Sequence, residues 1–483
     1  MSDRPWFVKR LVVLGLWLAL FFFSLFQHHP WRDEYQSYLV STRTETFTDF
    51  IDGVRHERHP PLHYLMQRGL DSIAHDWPAK VAVDTVTVPF TIGSVILLLF
   101  FLDLELFEAA ALIFGIYVFR EYGIISRCYS LGLFFLLLAV FFRKRSSPAM
   151  MLTALVLSAG THLLFTLVSG TMFLSETWEQ KAWRKPRTWF AGLGFGAWLI
   201  FQAPPKDSLF NRPLDLSFAA VIKIVHYTNQ ALWPLENWLK PFVWNSLGAS
   251  TDLMTVLLLP LTFFWLRSRI ALWRALFFMS GPILLLSLAA DSSSRHIGVA
   301  FSAALAAFLL YGHEPSVNSR FHRWPHPLRA FATVGLISSA VWWLKWQPFR
   351  QPPRFDFSAS YQLGEGLPEL QAADAVLLSA DPTGFFSWMA ESGKSVFDIA
   401  RNHELRYPYF IKLVTDDELK PQIWSEWCSN HFAEFRAAHP GPIYFGTKRG
   451  QPAPEGCGRV EKIFETTRAD LTDETIAIYR PAD

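Results

Sequence analysis

Charge is scarce in this chain. Asp, Glu, Lys and Arg make up 18% of its 483 residues, where soluble domains usually carry roughly 25%. Cysteine is rarer still, with Cys128, Cys428 and Cys457 the only three, too few for a disulfide-stapled scaffold. No internal repeat is visible, and no dedicated His/Cys spacing of a metal site occurs. The net charge of +2 carries little information, because in a membrane protein the distribution of charge matters more than its sum. No nucleic-acid partner is expected. What the chain has in abundance is apolar surface: 51% of residues are hydrophobic and 16% aromatic, including 20 Trp and 44 Phe. Several runs approach the roughly 20 apolar residues that cross a hydrocarbon core. The first, 7–27, follows Arg4, Lys9 and Arg10 and ends without a small-residue cleavage site, so it reads as a retained helix rather than a signal peptide.

Basic clusters set the expected threading, since Lys and Arg collect in short cytoplasmic loops. They are Arg4/Lys9/Arg10, Arg143-Lys144-Arg145, Lys181/Arg184/Lys185/Arg187, Arg267/Arg269/Arg274 and Arg320/Arg323/Arg329. With all five inside, spans are expected at 7–27, 81–101, 109–119, 123–142, 149–160, 163–178, 189–201, 251–266, 276–289, 297–311 and 330–346. The fold expected is mainly α: a polytopic transmembrane helical bundle of about eleven spans, with its N-terminus cytoplasmic. Such a protein belongs in a bacterial inner membrane. A first outer loop, 28–80, is expected to carry interfacial helices. Residues 62–74 are apolar but include His63, Arg68 and Asp71, which suits a helix lying on the membrane rather than crossing it. A second long outer loop, 206–248, holds Trp233, Trp238 and Trp244, whose rings suit a membrane interface.

Pro348, Pro352 and Pro353 mark a linker, after which charge density rises. Strands are expected at 375–379, 395–399, 442–445 and 475–479, and a helix at 385–392. The domain boundaries expected are therefore 1–347 for the membrane domain and 348–483 for an extracytoplasmic soluble α/β domain. The latter shows neither a Gly-rich phosphate loop nor a nucleophile elbow, and reads as a structural or acceptor-docking appendage. Cys428 and Cys457 share this outer domain, where an oxidising compartment permits pairing; spacing alone leaves it open. Cys128 reads as a free core thiol.

Sorting polar residues by side brings Asp33, Glu34, His59, His63, Arg127, Tyr129, Arg295 and His296 to the outer boundary, from four separate stretches. Ionisable groups at membrane depth face the interior of a bundle, and Arg binds phosphate through its planar fork. Carboxylates and guanidiniums converging on one face suit an anionic substrate plus a base. Each residue has a plainer reading too. Asp33-Glu34 suits the start of a helix, His59-Pro60-Pro61 a turn, Arg127 a snorkelling side chain, and Arg295-His296 a loop anchor. His162, at the tip of the pair 149–160 and 163–178, reads as structural, and His226 and Glu236 as surface residues.

The succession Trp31-Arg-Asp-Glu34, His59-Pro-Pro-Leu-His-Tyr64 and Ser126-Arg-Cys-Tyr-Ser-Leu131 resembles the GT-C glycosyltransferases, in particular the protein O-mannosyltransferase and lipid A aminoarabinose transferase branch. The resemblance covers residues 1–346. It implies transfer of a sugar, with inversion, from a polyprenyl-phosphate donor to a glycan, lipid or protein acceptor on the outer face of the membrane. It implies Asp33 as catalytic carboxylate with Glu34 its neighbour, and His59, Arg127 and Tyr129 at the donor. Arg295 and His296 match an Arg-aromatic position, from which His departs. No cofactor is required, although a divalent metal on Asp33, Glu34 and His59 is compatible with their donor atoms. A transporter or flippase of polyprenyl-linked glycan is the alternative. It would place charges mid-membrane on broken helices and often show inverted repeats.

Overall fold

A computed structural model describes residues 4–203 except residue 31, then 270–289, 294–311, 355–356, 362–406, 420–448, 456–466 and 476–482, with a few single positions between. The expected spans 251–266 and 330–346, most of the second outer loop with its tryptophans, His226, Glu236 and the linker prolines lie outside the described residues. The described chain is mainly helical, with a C-terminal sheet region. Its helices are α1 (Arg4–Gln27), α2 (Arg32–Arg43), α3 (Phe47–His56), α4 (Leu62–Ala74), α5 (Ala79–Ile96), α6 (Leu106–Ile113), α7 (Tyr129–Lys144), α8 (Pro148–Ala159), α9 (Leu163–Glu179), α10 (Pro186–Phe201), α11 (Ile270–Ala289), α12 (Ser294–Tyr311), α13 (Gln362–Gly366), α14 (Phe386–Ser392) and α15 (Lys420–Ala438). π-helical turns follow α5 at Leu97–Phe101 and precede α7 at Tyr117–Ile124.

Contacts divide the chain into two compact units. Met1–Phe26, Thr87–Ala203 and Arg212–Pro353 form one; Gln27–Val86, Pro204–Asn211 and Arg354–Asp483 form the other. This division differs from the expected boundary near 347, because the first outer loop groups with the C-terminal residues rather than with the helical bundle.

The first unit is a helical bundle built around α12. Val299, Ala300, Ala303, Ala304, Leu305, Ala306 and Ala307 are all fully buried, and α7, α9, α11 and the π turn at 117–124 surround them. A helix apolar on every side belongs in a core, and its small residues let neighbouring backbones approach. The expected break within 149–178 is observed: α8 stops at Gly160, and His162 caps α9 by accepting the Leu164 N–H at 3.1 Å. At the far ends, Arg143 of α7 meets Glu176 of α9 at 2.5 Å, and Arg274 near the start of α11 pairs with Glu179. Tyr311, closing α12, donates to Glu176 at 3.3 Å. Thus α7, α9 and α12 end together while α11 begins there, which is the alternation expected for 123–142, 163–178, 276–289 and 297–311.

Among the described residues, Pro5–Gln27 and Ala79–Phe101 are helices long and apolar enough to cross a membrane; 148–159, 273–287 and 296–311 are apolar but shorter. One side of α1 packs inward, with the Trp17 indole donating to the Ile113 carbonyl at 2.9 Å. The other side shows Phe7, Val12, Leu16 and Phe26. On α10, Trp189, Phe190, Leu193 and Ile200 are likewise exposed. Continuous apolar surface of that kind suits lipid better than water.

The second unit is a three-layer α/β structure. Its sheet has the order β5 (His403–Leu405), β4 (Val396–Asp398), β3 (Val376–Ser379), β6 (Ile443–Lys448), β8 (Ile476–Pro481), β7 (Val460–Glu465). The core strands β4, β3 and β6 are parallel, and the flanking pairs are antiparallel. Side chains alternate across a strand, so Leu377 and Tyr444 face one layer and Leu378, Ile443 and Phe445 the other. Trp424, Trp427 and Phe435 of α15 cover the second face. The first face is covered by α14 and by Tyr35, Tyr38 and Leu39 of α2. A short parallel pair, β1 (His28–His29) with β2 (Phe355–Asp356), adds a backbone tie. Helix α15 and strands β5 and β7 were not expected from the sequence. Strand β7 (Val-Glu-Lys-Ile-Phe-Glu) is a charge-rich edge strand, and such edges blur the apolar alternation.

Cys428 of α15 and Cys457 are joined, with Cα atoms 4.8 Å apart, whereas Cys128 is a buried free thiol. The bond spans a sequence separation of 29, for which chain entropy predicts about 3.6 kcal/mol of stabilisation. Replacing both cysteines with serine should lower the unfolding midpoint of the purified chain. Adding reductant should shift wild type, but not the double variant, towards the same value.

Candidate functional site

The Trp31-Arg-Asp-Glu34 stretch forms the start of α2, with Asp33 and Glu34 in its first turn, where carboxylates favour the helix dipole. The two carboxylates then diverge. Glu34 is fully buried, and both its oxygens lie 2.9–3.0 Å from Nε2 of His28, itself fully buried. Asp33 remains partly exposed, its Oδ1 3.2 Å from Nε of Arg32. One carboxylate is enclosed in an internal pair, and the other keeps 15% of its side chain exposed beside Arg32.

The C-terminal residues hold this helix in place. The Tyr35 hydroxyl donates to Glu391 at 2.9 Å. Burial and the Glu391 carboxylate push that hydroxyl well above its ordinary range, so it stays a donor. Arg43, closing α2, donates to the Lys394 carbonyl at 2.7 Å and to that of Met389, one of the carbonyls left open in the last turn of α14. On its other side α2 meets α4, where Ser41 donates to Gln67 at 3.1 Å and Arg68 reaches Thr44 at 2.8 Å.

The His59-Pro60-Pro61 stretch is the turn between α3 and α4. Arg58 before it adopts φ 56°, a left-handed conformation costly for a side chain of this size. Tyr64 donates to the buried Glu57, and the His59 ring lies 6.3 Å from that of Tyr64. His63 is buried beside Tyr64, with ring centroids 5.9 Å apart. Helix α4 covers 62–74, the stretch expected to be an interfacial helix.

The remaining expected residues belong to the bundle unit. Tyr129 opens α7, His162 caps α9 and His296 lies in the first turn of α12, so the three parallel helices bring them together. The Tyr129 hydroxyl is 3.1 Å from His162 Nε2, and the His296 ring lies 6.1 Å from Tyr129 and 5.8 Å from His162. Because His162 Nδ1 accepts a backbone N–H, its proton sits on Nε2 when the ring is neutral, and Nε2 donates to the tyrosine oxygen. Tyr122, on the π turn, stacks on Tyr129 at 5.5 Å. A Cβ at Gly298 would fall 2.5 Å from the Tyr122 hydroxyl, so glycine is what lets α12 approach this turn. π-helical insertions concentrate at functional sites.

Arg127 precedes α7 and is 95% buried by side-chain environment, at 5% exposure. That corrects the snorkelling alternative: a guanidinium enclosed by the bundle is not lying along a lipid boundary. Arg295 lies in the first turn of α12, but its side chain falls outside the described residues. Asp33, Glu34 and His59 thus belong to one unit, and Arg127, Tyr129, Arg295 and His296 to the other.

Sequence reasoning did not single out His28 and read His162 as structural. His162 does cap a helix, and it also orders Tyr129. The signal for it was a histidine between two apolar helices at Gly160-Thr161-His162. For His28 the signal was weaker, an imidazole six residues before a carboxylate. Among the described residues, no group of three or more His, Cys, Asp and Glu side chains is arranged to hold a metal ion, so the set Asp33, Glu34 and His59 is not found as a metal cluster. No family model, curated protein or solved structure matches the chain.

Two stability outcomes follow from these contacts. His28→Ala removes the imidazole that contacts both oxygens of the enclosed Glu34 carboxylate and should cost about 3 kcal/mol, whereas Asp33→Asn should change stability by less than about 1 kcal/mol. Equal shifts in the unfolding midpoint would contradict the unequal roles of the two carboxylates. Gly298→Ala should cost about 1–3 kcal/mol through overpacking against Tyr122 and Tyr117, read in the same assay.

Proposed function

We propose that this protein is an integral, multi-pass membrane glycosyltransferase of GT-C type, N-terminus cytoplasmic and C-terminal domain extracytoplasmic. It moves a hexose or pentose from a polyprenyl-phosphate carrier to an acceptor hydroxyl, with Asp33 as base. The observation that carries the reading is the inequality of the adjacent carboxylates. Glu34 is tied to His28 inside the fold, while Asp33 stands partly exposed on a helix start braced by Glu391 and by the Arg43 contacts.

Further support comes from the second unit's disulfide, which suits an oxidising compartment. The exposed apolar faces of α1 and α10 suit lipid. In the bundle unit, buried Arg127 and the Tyr129–His162 pair offer a cation and a hydroxyl donor of the kind a lipid-linked phosphate needs.

In this mechanism an Asp33 oxygen accepts the acceptor hydroxyl proton as that oxygen attacks the anomeric carbon. The bond from that carbon to the phosphate oxygen breaks on the opposite face, which inverts the centre. The phosphate departs as an anion, so a strong general acid is unnecessary. Cationic and hydroxyl donors at the departing phosphate would stabilise its developing charge. The acceptor is a nucleophilic hydroxyl on a glycan, a lipid or a protein.

The test is sugar transfer in membranes supplied with radiolabelled polyprenyl-phosphate mannose, glucose, galactose or aminoarabinose. Asp33→Asn should lower transfer at least 100-fold while leaving the amount and thermal stability of the protein unchanged. Wild-type transfer by that variant would sink the mechanism. Recovery of intact donor in the opposite leaflet, with no glycosyl bond broken, would instead identify a flippase.

A further inference from the structure

The second unit contains a pocket of about 690 Å³, within the roughly 300–1,000 Å³ typical of small-molecule sites. It opens where the parallel strands β3 and β4 begin, and its wall includes Arg43, Lys394, Phe397, Glu404, Arg406 and His439. Open α/β sheets perform their chemistry at the carboxyl ends of the strands. This pocket is at the amino ends, which suits recognition rather than catalysis.

Cations dominate its wall. Arg43 is held rigid by the carbonyls of Lys394 and Met389, and the Lys394 amine donates to the Ala372 carbonyl. Among the described residues neither forms an ion pair with a carboxylate. Burial pulls the Arg43 guanidinium below its ordinary range, the expected sign for a cation with too little solvation and no counterion. Arg406 is paired, with Glu45 at 2.8 Å and Glu404 at 3.7 Å, but all three side chains are more than half exposed, so these contacts are weak and exchangeable.

The rest of the wall suits a polyhydroxylated ring. Phe397 is only partly buried, packed against Phe435 at 4.6 Å, and offers an aromatic face. His439 donates through Nδ1 to the Phe435 carbonyl at 2.9 Å, which leaves Nε2 of the neutral ring as an acceptor. Glu404 adds carboxylate oxygens, one already accepting the Ser395 hydroxyl. An inorganic anion would use the cations and ignore these acceptors. An anionic saccharide would use both.

We propose that this pocket binds an anionic sugar unit, its carboxylate or phosphate on the Arg43–Lys394–Arg406 side and its hydroxyls on Glu404 and His439. The assignment is independent of the transferase reading, because it concerns binding alone and none of its residues takes part in transfer.

Calorimetric titration of the detergent-purified full chain tests it, with digalacturonate, a sugar phosphate, maltose and inorganic phosphate as probes. Digalacturonate or the sugar phosphate should bind, the stronger of the two identifying the anion, and binding should weaken as salt rises. Maltose should not bind. The double variant Lys394→Gln/Arg406→Gln, whose side chains support no buried structure, should bind at least tenfold more weakly at an unchanged unfolding midpoint. Equal affinity of wild type and variant would overturn the proposal, as would equal binding of maltose. Binding of inorganic phosphate with neither anionic sugar would also overturn it, by making the pocket a simple anion site.

Discussion

A sheet flanked on both faces must be covered on both faces, and that requirement organises the second unit. Leu378, Ile443 and Phe445 find α15. Leu377 and Tyr444 on the opposite face lie in one cluster with α14 and with Tyr35, Tyr38 and Leu39 of α2. The helix that completes this layer therefore comes from residues more than 300 positions earlier in the chain. Because α2 is fixed by its buried face, the orientation of its first turn is fixed too. Glu34 is directed inward to His28, and Asp33, one residue and about 100° earlier on the helix, stays at the surface. The proposed base owes its placement to a hydrophobic contact made by its neighbours.

The bundle unit meets a different constraint. Its central helix α12 is lined with alanine and glycine, so the surrounding helices approach closely and little room is left for unsatisfied polar groups. Polar side chains are accordingly gathered at the ends. Arg143, Glu176, Glu179, Arg274 and Tyr311 join the helices at one end. Tyr129, His162 and His296 meet at the other. Helices of 16–18 residues separate these clusters by about 25 Å.

Much of this order was legible along the chain. The break at Gly160-Thr161-His162, the helix over 62–74 and the strands at 376–379, 396–398 and 443–448 follow from apolar periodicity and from the punctuation of glycine, proline and charge. The edge strands β5 and β7 were not, since an edge has one side open to water and its alternation is diluted. Helix α15 was missed although Trp424, Trp427 and Phe435 lie on one face of it. Its mixture of charge and widely spaced aromatics obscures a period that only burial makes plain. At the site, Asp33, Arg127 and Tyr129 stood out because polar residues are rare in so apolar a chain. His28 did not, because a histidine beside an apolar run has no periodic signature of its own.

The sequence by itself determined most of the helices and the central strands, which residues are polar enough to require explanation, and that the chain carries long apolar surfaces. These are properties of neighbours within a few residues, where periodicity and composition act. Only the tertiary structure decided that residues 27–86 belong with the C-terminal sheet and that Cys428 pairs with Cys457. It also decided that Glu34 is fully enclosed while Asp33 is only partly covered, and that His162 orders Tyr129. Each of these depends on contacts between positions far apart in the chain. Apolar faces show that a helix must be covered, but their generic attraction does not name the partner; the fit of the folded surfaces does.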